Sequence, residues 1–500
     1  MYKNIVVIVL TASPAYTQQG GEIIGESPLT AGTAGASIGS GQSVVDASSN
    51  PSTLIHVFEN ERGVKRQQRF ESMVRAVHYN TAITTSTGEE LAIDLPVGMG
   101  PWMGYAARIN DEWAWGVNLQ PTVAADFSTT RNTTLNLVTE DPFDPNAPLL
   151  DSRIEQSSQL LQMALEPNLS MRLNDSWSIG VGASIRHTDL SMVSATEVDF
   201  DTLQGDFVLG AGTWGDFFRD AGGESFQATF DAEASSNMPV VFLKLGATYS
   251  TPRGNNIGFW LRPRSTSSDI EGRVNVDMRD DLGTFITVLE DNVFGEGALL
   301  TGELVSAYDF AINDVAFPAQ VGVSFSSAAT SPTRWHSKVV FTQWSKTMTD
   351  WSAHLSNASN DEFTGYVGGD GSIDIDMGID WNDTLALSVG FEHDVEFNIT
   401  TLGDRSRKIN DYTLRGGLGW STNPVAGAAL PGLTPFNQWH VAVGISSWSN
   451  DRDPLDIHMA FIATLPETWT AGENALLSDQ SYDEFSQFAY SFMVGCSYSF

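Results

Sequence analysis

The chain ends in the stretch Phe-Ala-Tyr-Ser-Phe-Met-Val-Gly-Cys-Ser-Tyr-Ser-Phe, residues 488–500. Large apolar side chains and Cys496 occupy every second position, and small or polar side chains lie between them, with Met493 as the exception. A period of two is typical of a β-strand whose faces meet different surroundings. About ten such residues cross a bilayer as a tilted strand. The stretch therefore predicts a membrane-crossing strand.

The same alternation recurs at 177–186 and 385–392, where the second face carries mainly Gly, Ser and Ala. A soluble β-sandwich would usually place charged and β-branched residues on that face, whereas small residues suit a barrel interior. Short polar turns such as Asn110-Asp111 and Asn174-Asp175 alternate with long polar stretches, at 127–157, 191–237, 275–313 and 347–383. Short turns at one end and long loops at the other indicate an outer-membrane barrel.

Strands placed by this rule predict an all-β fold, a closed antiparallel transmembrane β-barrel of about fourteen strands. An even number brings both chain ends to one side, and closure pairs every backbone group within the bilayer. The predicted strands are 69–80, 98–109, 113–126, 158–173, 176–190, 238–251, 256–274, 314–327, 333–346, 384–397, 411–421, 437–448, 455–465 and 485–500.

The N-terminal region does not follow the strand pattern. Residues 1–15 combine Lys3, an apolar stretch and small residues up to Ala15, which predicts an export signal; a buried first strand is the alternative. Residues 16–68 are rich in Gly, Ala and Ser, and we expect them to form a plug, or hatch, inside the lumen. The alternative is a disordered tail. Residues 69–500 are then the barrel with its long loops.

Composition excludes several classes of protein. The sequence has no apolar run of eighteen residues, and its mean hydropathy is −0.12, which excludes a helical membrane protein. The formal net charge of −35 argues against nucleic acid as a partner, because phosphate would be repelled. The single cysteine, Cys496, cannot form an internal disulfide. Solvation of exposed loops is the simplest reason for the acidity.

Several segments, taken in order, resemble the long-chain fatty acid transporter family of outer-membrane proteins, which includes transporters of toluene and related hydrocarbons. Residues 31–37 and 46–52 are similar to the family's plug, in which Asn-Pro-Ala is usual; here Asn50-Pro51 is followed by Ser52. The other matching segments are 109–116, 173–180, 317–320 and 413–417.

The resemblance implies a fourteen-stranded barrel in the outer membrane of a Gram-negative bacterium, surrounded by outer-membrane lipid and commonly monomeric. It implies passive diffusion of a hydrophobic small molecule, with no cofactor. It also implies a hatch whose movement near Asn50 and Pro51 releases the ligand. The ligand then leaves sideways through an opening in the barrel wall at a kink in the third strand.

Pro121 lies in the predicted third strand. Proline has no backbone N–H to give to a β-ladder, so a gap in the ladder is expected there. Beside the resemblance, Pro121 becomes the candidate for the lateral opening. The alternative is that Pro121 only ends the strand at the outer rim.

Three arginines are candidate ligand-binding residues, since a buried carboxylate needs a basic partner. Alternation points Arg186, Arg262 and Arg264 inward, and Arg262 corresponds to an arginine of the family. Two other basic positions of fatty-acid-binding members correspond here to Ser194 and Trp351, which favours neutral hydrocarbons. The alternative is that the arginines only balance lumenal Asp and Glu.

Residues 35–39 match the Gly-x-Ser-x-Gly pattern of serine hydrolases around Ser37. That nucleophile needs a strand before it and a helix after it, and neither is predicted, so we interpret the segment as tight packing without catalytic residues. The eight histidines are scattered and indicate no metal site. We therefore expect a passive channel for fatty acids or hydrocarbons and not an enzyme. The alternatives are an adhesive barrel that binds a partner through its loops and an outer-membrane lipid hydrolase.

Overall fold

A closed β-sheet wraps around an N-terminal plug in the computed structural model of this chain. The structure describes residues 18–19, 22–58, 67–84, 90–93, 98–136, 149–199, 216, 219, 225–277, 305–328, 330–349, 352–360, 372–376, 381–399, 407–424, 438–448, 455–470 and 484–500. The predicted export signal, residues 1–15, and Trp351 lie outside them. Among the described helices, none has the length and apolar character to cross a membrane.

The wall has fourteen strand positions, as predicted, and all neighbouring strands are antiparallel. The sheet closes where the last strand pairs with the first, from Glu484 opposite Thr84 to Ser499 opposite Arg69. The strands are β1 Gln68–Thr84, β2 Glu90–Ile93 with Gly98–Arg108, β3 Trp113–Asn136, β4 Leu149–Arg172, β5 Trp177–Asp199, β6 Ser225–Ser236 with Val240–Ser250, β7 Asn256–Arg262 with Ser268–Asp277, β8 Val305–Val315 with Gln320–Ser326, β9 Thr333–Thr342 with Ser352–Ser356, β10 Ile373–Asp376 with Thr384–Ile399, β11 Arg407–Ser421, β12 Trp439–Trp448, β13 Leu455–Thr464 with Glu467–Thr470, and β14 Glu484–Ser499.

Alternation along β14 separates the two faces of the wall. Phe492 is 46% exposed on the outside, while its neighbours Ser491 and Met493 are fully buried on the inside. The same pattern leaves a band of exposed apolar side chains around the barrel, among them Leu243, Val323 and Val443. An outward apolar band with a polar interior is the arrangement that a bilayer selects. The predicted distribution of residues between the two faces is confirmed.

The hairpin turns at Asn110-Asp111, Asn174-Asp175 and 252–255 define what we call the turn end of the barrel; the opposite end is the loop end. From the turn end, strands β6 to β9 run for 11, 7, 7 and 10 residues before each is interrupted. These lengths approach the nine to eleven residues that span a bilayer. The interruptions therefore mark the edge of the membrane-spanning wall, and the prediction of one unbroken strand over 256–274 was wrong.

The plug occupies the turn-end half of the lumen, which confirms the predicted hatch. A short helix, α1, covers Pro28–Ala31, and three 3₁₀ helices follow at Ala36–Ser40, Val45–Ser48 and Pro51–Phe58. Nearly every described side chain between residues 24 and 58 is buried against the wall or within the plug. The long strands of the wall thus enclose a compact segment with very little regular structure.

Glycines on the inner face let the plug approach the wall. A Cβ atom at Gly180 of β5 would overlap the backbone of Pro51 and Ser52, and one at Gly246 of β6 would overlap the side chain of Asn50. Gly180 and Gly246 are direct partners in the β5–β6 ladder. Together they form a notch that receives the segment around Pro51.

A second notch lies across the lumen. Added Cβ atoms at Gly390 of β10 and Gly417 of β11, which are also ladder partners, would overlap the backbone of Thr33. Beside it, the side chain of Gln42 donates to a carboxylate oxygen of Glu392 at 2.8 Å. The plug is therefore held at two opposite sides of the wall.

The first notch generates a test by mutation. Gly180→Ala should displace Pro51 and raise the ion conductance of the barrel in planar lipid bilayers, because the obstructing contact is with backbone that cannot move aside. Gly182→Ala, two residues along the same strand, is the matched control, since its Cβ would meet the side chain of Asn168 and not the plug. Equal conductance of the two variants would contradict this docking.

Asp46 ties the plug together internally. Its carboxylate accepts hydrogen bonds from the hydroxyls of Thr30 at 2.8 Å and Ser27 at 3.1 Å. Burial raises the pKa of Asp46 from 3.8 to about 7, against the opposing effect of the hydrogen bond from Thr30. The folded plug thus retains a proton that the unfolded chain releases near pH 4.

A raised carboxyl pKa makes the folded state less stable as pH rises between the unfolded and folded pKa values. Hydrogen exchange of residues 24–58, corrected for the intrinsic pH dependence, should therefore show protection that falls between pH 4 and pH 7. For one group the largest slope is about tenfold per pH unit. Asp46→Asn should reduce this dependence and leave only the part due to Glu26, whose pKa burial also raises, whereas Asp111→Asn, in an exposed turn, should leave it unchanged; a pH-independent wild type would disprove the linkage.

Candidate functional site

A cavity of about 120 Å³ lies in the lumen between the plug and the loop end. Its floor is formed by plug residues, including Glu26, Ile38 and Ser49, and its sides come from strands β3 to β10. The wall residues that line the cavity include Gln120, Thr122, Glu166, Arg186, Lys244, Trp260, Arg262, Phe317, Lys338 and Trp344. The cavity therefore mixes apolar rings with charged groups.

The interruptions in strands β6 to β9 shape this cavity. Pro239, Pro263 and Pro318 lie at the breaks of β6, β7 and β8, where a residue without an N–H cannot continue the ladder. A hydrogen bond still joins the breaks of β7 and β8, because Phe317 donates its N–H to the Ser265 hydroxyl at 2.8 Å. The wall thereby turns Phe317 and Trp344 towards the lumen.

Two of the three predicted arginines lie in the cavity, side by side. The guanidinium carbon of Arg186 is 4.3 Å from the centroid of the Phe242 ring, and that of Arg262 is 5.1 Å from the same centroid. The Arg186 guanidinium also lies 5.7 Å from the centroid of Phe317. Contact with the buried Phe242 ring restricts both guanidinium groups.

The third arginine, Arg264, does not join the other two in the cavity. β7 ends at Arg262, Pro263 interrupts it, and the next segment begins at Ser268, so the alternation of faces does not carry through. Arg264 is exposed and does not line the cavity. Its position at a break of the wall is one where a cation can reach water beside the apolar band.

An ion pair that the sequence did not reveal lies beside the arginines. Nζ of Lys244 on β6 is 2.7 Å from a carboxylate oxygen of Glu166 on β4, and the Gln120 side chain donates to the other oxygen at 3.0 Å. Both charged side chains are almost fully buried. Because β5 separates these strands, the spacing of Glu166 and Lys244 in the sequence does not indicate that they pair. Alternation along each strand indicates only that both side chains face the lumen.

Glu26 reaches the same cavity from the plug. Its carboxylate accepts a hydrogen bond from the Ser49 hydroxyl at 2.7 Å. Burial, and next the negative charge of Glu166, raise the pKa of Glu26 to about 8, while Lys244 acts in the opposite direction. At neutral pH Glu26 is therefore mostly protonated.

Asn50 and Pro51, predicted as the moving part of the hatch, begin the last 3₁₀ helix of the plug. The Asn50 side-chain oxygen accepts hydrogen bonds from the hydroxyl and the N–H of Ser52, at 2.7 and 3.2 Å. Proline at the first position of the helix fits this capped start. The Ser52 hydroxyl also lies 2.7 Å from that of Thr248 in the wall. The structure thus shows how the pair is anchored, and its movement remains a prediction.

Pro121 does not end its strand, because β3 continues to Asn136. The ladder with β4 shifts register between Pro121 and Val123, and the three consecutive residues Gln120, Pro121 and Thr122 are all buried. On the other side, pairing with β2 runs from Ala114 to Leu119, opposite Arg108 to Met103. Pro121 therefore marks a bulge where the strand leaves one of its two partners.

The facing strand carries a second proline. Extending the β2–β3 register beyond Met103 and Leu119 would place Pro101 opposite Pro121. Within the described strand residues, Gly98–Trp102 pair with β1 but have no ladder partner in β3. Two residues without an N–H cannot bond to each other across a ladder, which explains why the pairing stops there.

Ser37 lies in the 3₁₀ helix Ala36–Ser40 and not between a strand and a helix. It is buried, and its hydroxyl accepts a hydrogen bond from the Thr33 hydroxyl at 2.9 Å. The geometry around Ser37 is therefore that of a packing segment.

Among the described residues, no cluster of three or more His, Cys, Asp or Glu side chains is arranged to hold a metal ion.

No protein-family model and no curated protein matches the sequence. Solved structures do match. A FadL homologue of Pseudomonas aeruginosa is 14% identical with a TM-score of 0.60, and the match covers 96% of this chain and 99% of that one. The toluene transporter TodX of Pseudomonas putida is 15% identical with a TM-score of 0.58, covering 97% and 100%. The toluene transporter TbuX of Ralstonia pickettii is 15% identical with a TM-score of 0.59, covering 95% and 99%.

The matches run over nearly the whole chain, plug included, and confirm at the level of the fold the resemblance seen in the sequence. Sequence identities near 15% show that the fold is shared, and they do not show which ligand is bound. The chain has the fold of the FadL-type and TodX-type barrels.

Proposed function

We propose that this protein is a passive channel that takes hydrophobic small molecules across the outer membrane of a Gram-negative bacterium. The observation that carries the proposal is the position of the cavity. It lies above the plug and extends to Gln120 and Thr122, on either side of the wall bulge at Pro121. A ligand collected at the loop end would reach the wall without having to pass the plug.

The facing prolines support an exit through the wall. Ladder pairing between β2 and β3 ends at Met103 and Leu119, and Pro101 and Pro121 follow. Opening a ladder in lipid would normally leave backbone donors unpaired at a cost of several kcal/mol each, and proline has no such donor. Pro121 is thus proposed as the lateral opening, with Pro101 as its counterpart.

The names of the solved neighbours support this class of ligand, since two of them are toluene transporters and one is a FadL homologue. Passive transport needs no cofactor, because removal of apolar surface from water provides roughly 25 cal/mol per Å². The proposal includes export directed by residues 1–15, a hatch within 16–68, a barrel over 69–500, contact with outer-membrane lipid, and a monomer without enzymatic activity. Arg186 and Arg262 are the proposed ligand-binding residues.

Uptake of radiolabelled toluene and oleate by cells that lack their own transporter tests the proposal. Pro121→Val and Pro101→Val should each reduce uptake severalfold, because valine restores a backbone donor and allows the ladder to extend. Pro167→Val is the control, since Pro167 faces outward on β4 within a continuous ladder with β3.

The outcomes separate the parts of the proposal. If all three variants transport like the wild type, the wall exit is wrong while the channel stands. If the folded wild type admits neither compound, the channel itself is wrong, and a barrel that binds an external partner through its loops becomes the better hypothesis.

A further inference from the structure

The cavity has an apolar side and a cationic side. Rings and aliphatic groups come from Ile38, Trp260, Phe317 and Trp344. The charged side carries four basic residues, Arg186, Lys244, Arg262 and Lys338, all on the wall. A neutral hydrocarbon would contact the first side and form no hydrogen bond or ion pair with the second.

Basic residues outnumber carboxyl groups among the described residues that line the cavity. The four cations face two carboxyl groups, Glu26 and Glu166. Glu166 is already engaged by Lys244 at 2.7 Å and by Gln120 at 3.0 Å. A cluster of basic side chains in the lumen attracts an anion, and guanidinium groups match the geometry of a carboxylate.

A buried donor adds to this preference. The indole Nε1–H of Trp260 is buried, and among the described residues it has no hydrogen-bond acceptor. Its ring lies directly over Gly322, where any Cβ would overlap it, so the wall holds the indole in place. Buried donors without a partner are uncommon in native proteins and mark places where a ligand or water completes the bonding.

The size of the cavity limits the apolar part of the ligand. A protein cavity of roughly 150 Å³ is known to hold benzene. At about 120 Å³, this cavity suits a single ring or a short chain. A long acyl chain would need several times that volume.

We propose that the cavity selects small aromatic carboxylates, one ring bearing one acid group, over neutral rings and over long-chain fatty acids. The inference rests on the channel function proposed above and specifies its ligand. The carboxylate lies against Arg186 and Arg262, which are fixed on Phe242, and the ring lies between Trp260, Phe317 and Trp344.

Glu26 supports this at neutral pH. With a pKa of about 8, raised first by burial, it adds little repulsion to an anion below that pH. The charged and titratable groups that act on it are Glu166 and Lys244 on the wall and Asp46 in the plug. Above pH 8 its ionisation should weaken binding of the acid and leave binding of a neutral ring unchanged.

Isothermal titration calorimetry on the purified full-length barrel in detergent tests the selection with benzoate, toluene and oleate. We expect benzoate to bind at least about tenfold more tightly than toluene, as for a charge-assisted hydrogen bond in a buried site. Arg262→Gln should weaken benzoate binding by about tenfold or more and leave toluene nearly unchanged. Arg264→Gln, two residues away but exposed and outside the cavity, should change neither.

The folded state of each variant is checked by its heat-modifiable mobility on gels, and Arg186→Gln serves as the second variant if Arg262→Gln does not fold. Equal affinity for benzoate and toluene, tightest binding of oleate, or no effect of either arginine variant would overturn the proposal. Failure of the channel function is a separate result. In that case benzoate binds the purified barrel, yet no ring compound enters cells through it.

Discussion

A bilayer offers no partner for a backbone N–H or C=O group, and this constraint governs the rest of the structure. The chain meets it by closing fourteen strands on themselves, with β14 paired to β1 along almost its full length. A barrel of that width leaves a lumen that wall side chains alone do not fill. A separate segment must therefore occupy it, and residues 24–58 do so at the turn end.

The fit between plug and wall explains the composition of the inner face. At Gly180, Gly390 and Gly417 plug backbone lies where a Cβ would be, and at Gly246 the Asn50 side chain lies there. Contact between two surfaces of backbone gives close packing without long side chains to order. Further contacts join the plug to other strands, such as the hydrogen bond that the Asn118 side chain donates to the Val44 carbonyl at 3.2 Å, and the cavity lies on the loop-end side of the plug.

Irregularities in the wall create the site. Proline removes a ladder bond, which is costly in lipid, so such residues are tolerated at the membrane edge or where the ladder is meant to stop. Pro239, Pro263 and Pro318 interrupt three neighbouring strands at the edge of the apolar band, and this turns Phe317 into the lumen. Pro101 and Pro121 lie at the end of the β2–β3 ladder, beside the same cavity. The regular strands of the wall span the membrane, and the strand interruptions and the bulge at Pro121 shape the cavity.

The barrel, its fourteen strands and its two faces could be predicted from the sequence, because a period of two is a local property that each strand expresses alone. The plug could be predicted because residues 16–68 are rich in Gly, Ala and Ser and lack that period. The same alternation correctly placed Arg186 and Arg262 on the lumenal face, because both lie in unbroken stretches of strand. The fold was needed to see that Arg264 lies outside the cavity, that Glu166 pairs with Lys244, and that the β2–β3 ladder stops short of Pro101 and Pro121. These features depend on where each strand breaks and on the register between strands that are distant in sequence. Hydrogen bonds between adjacent strands of the closed sheet set the breaks and the register.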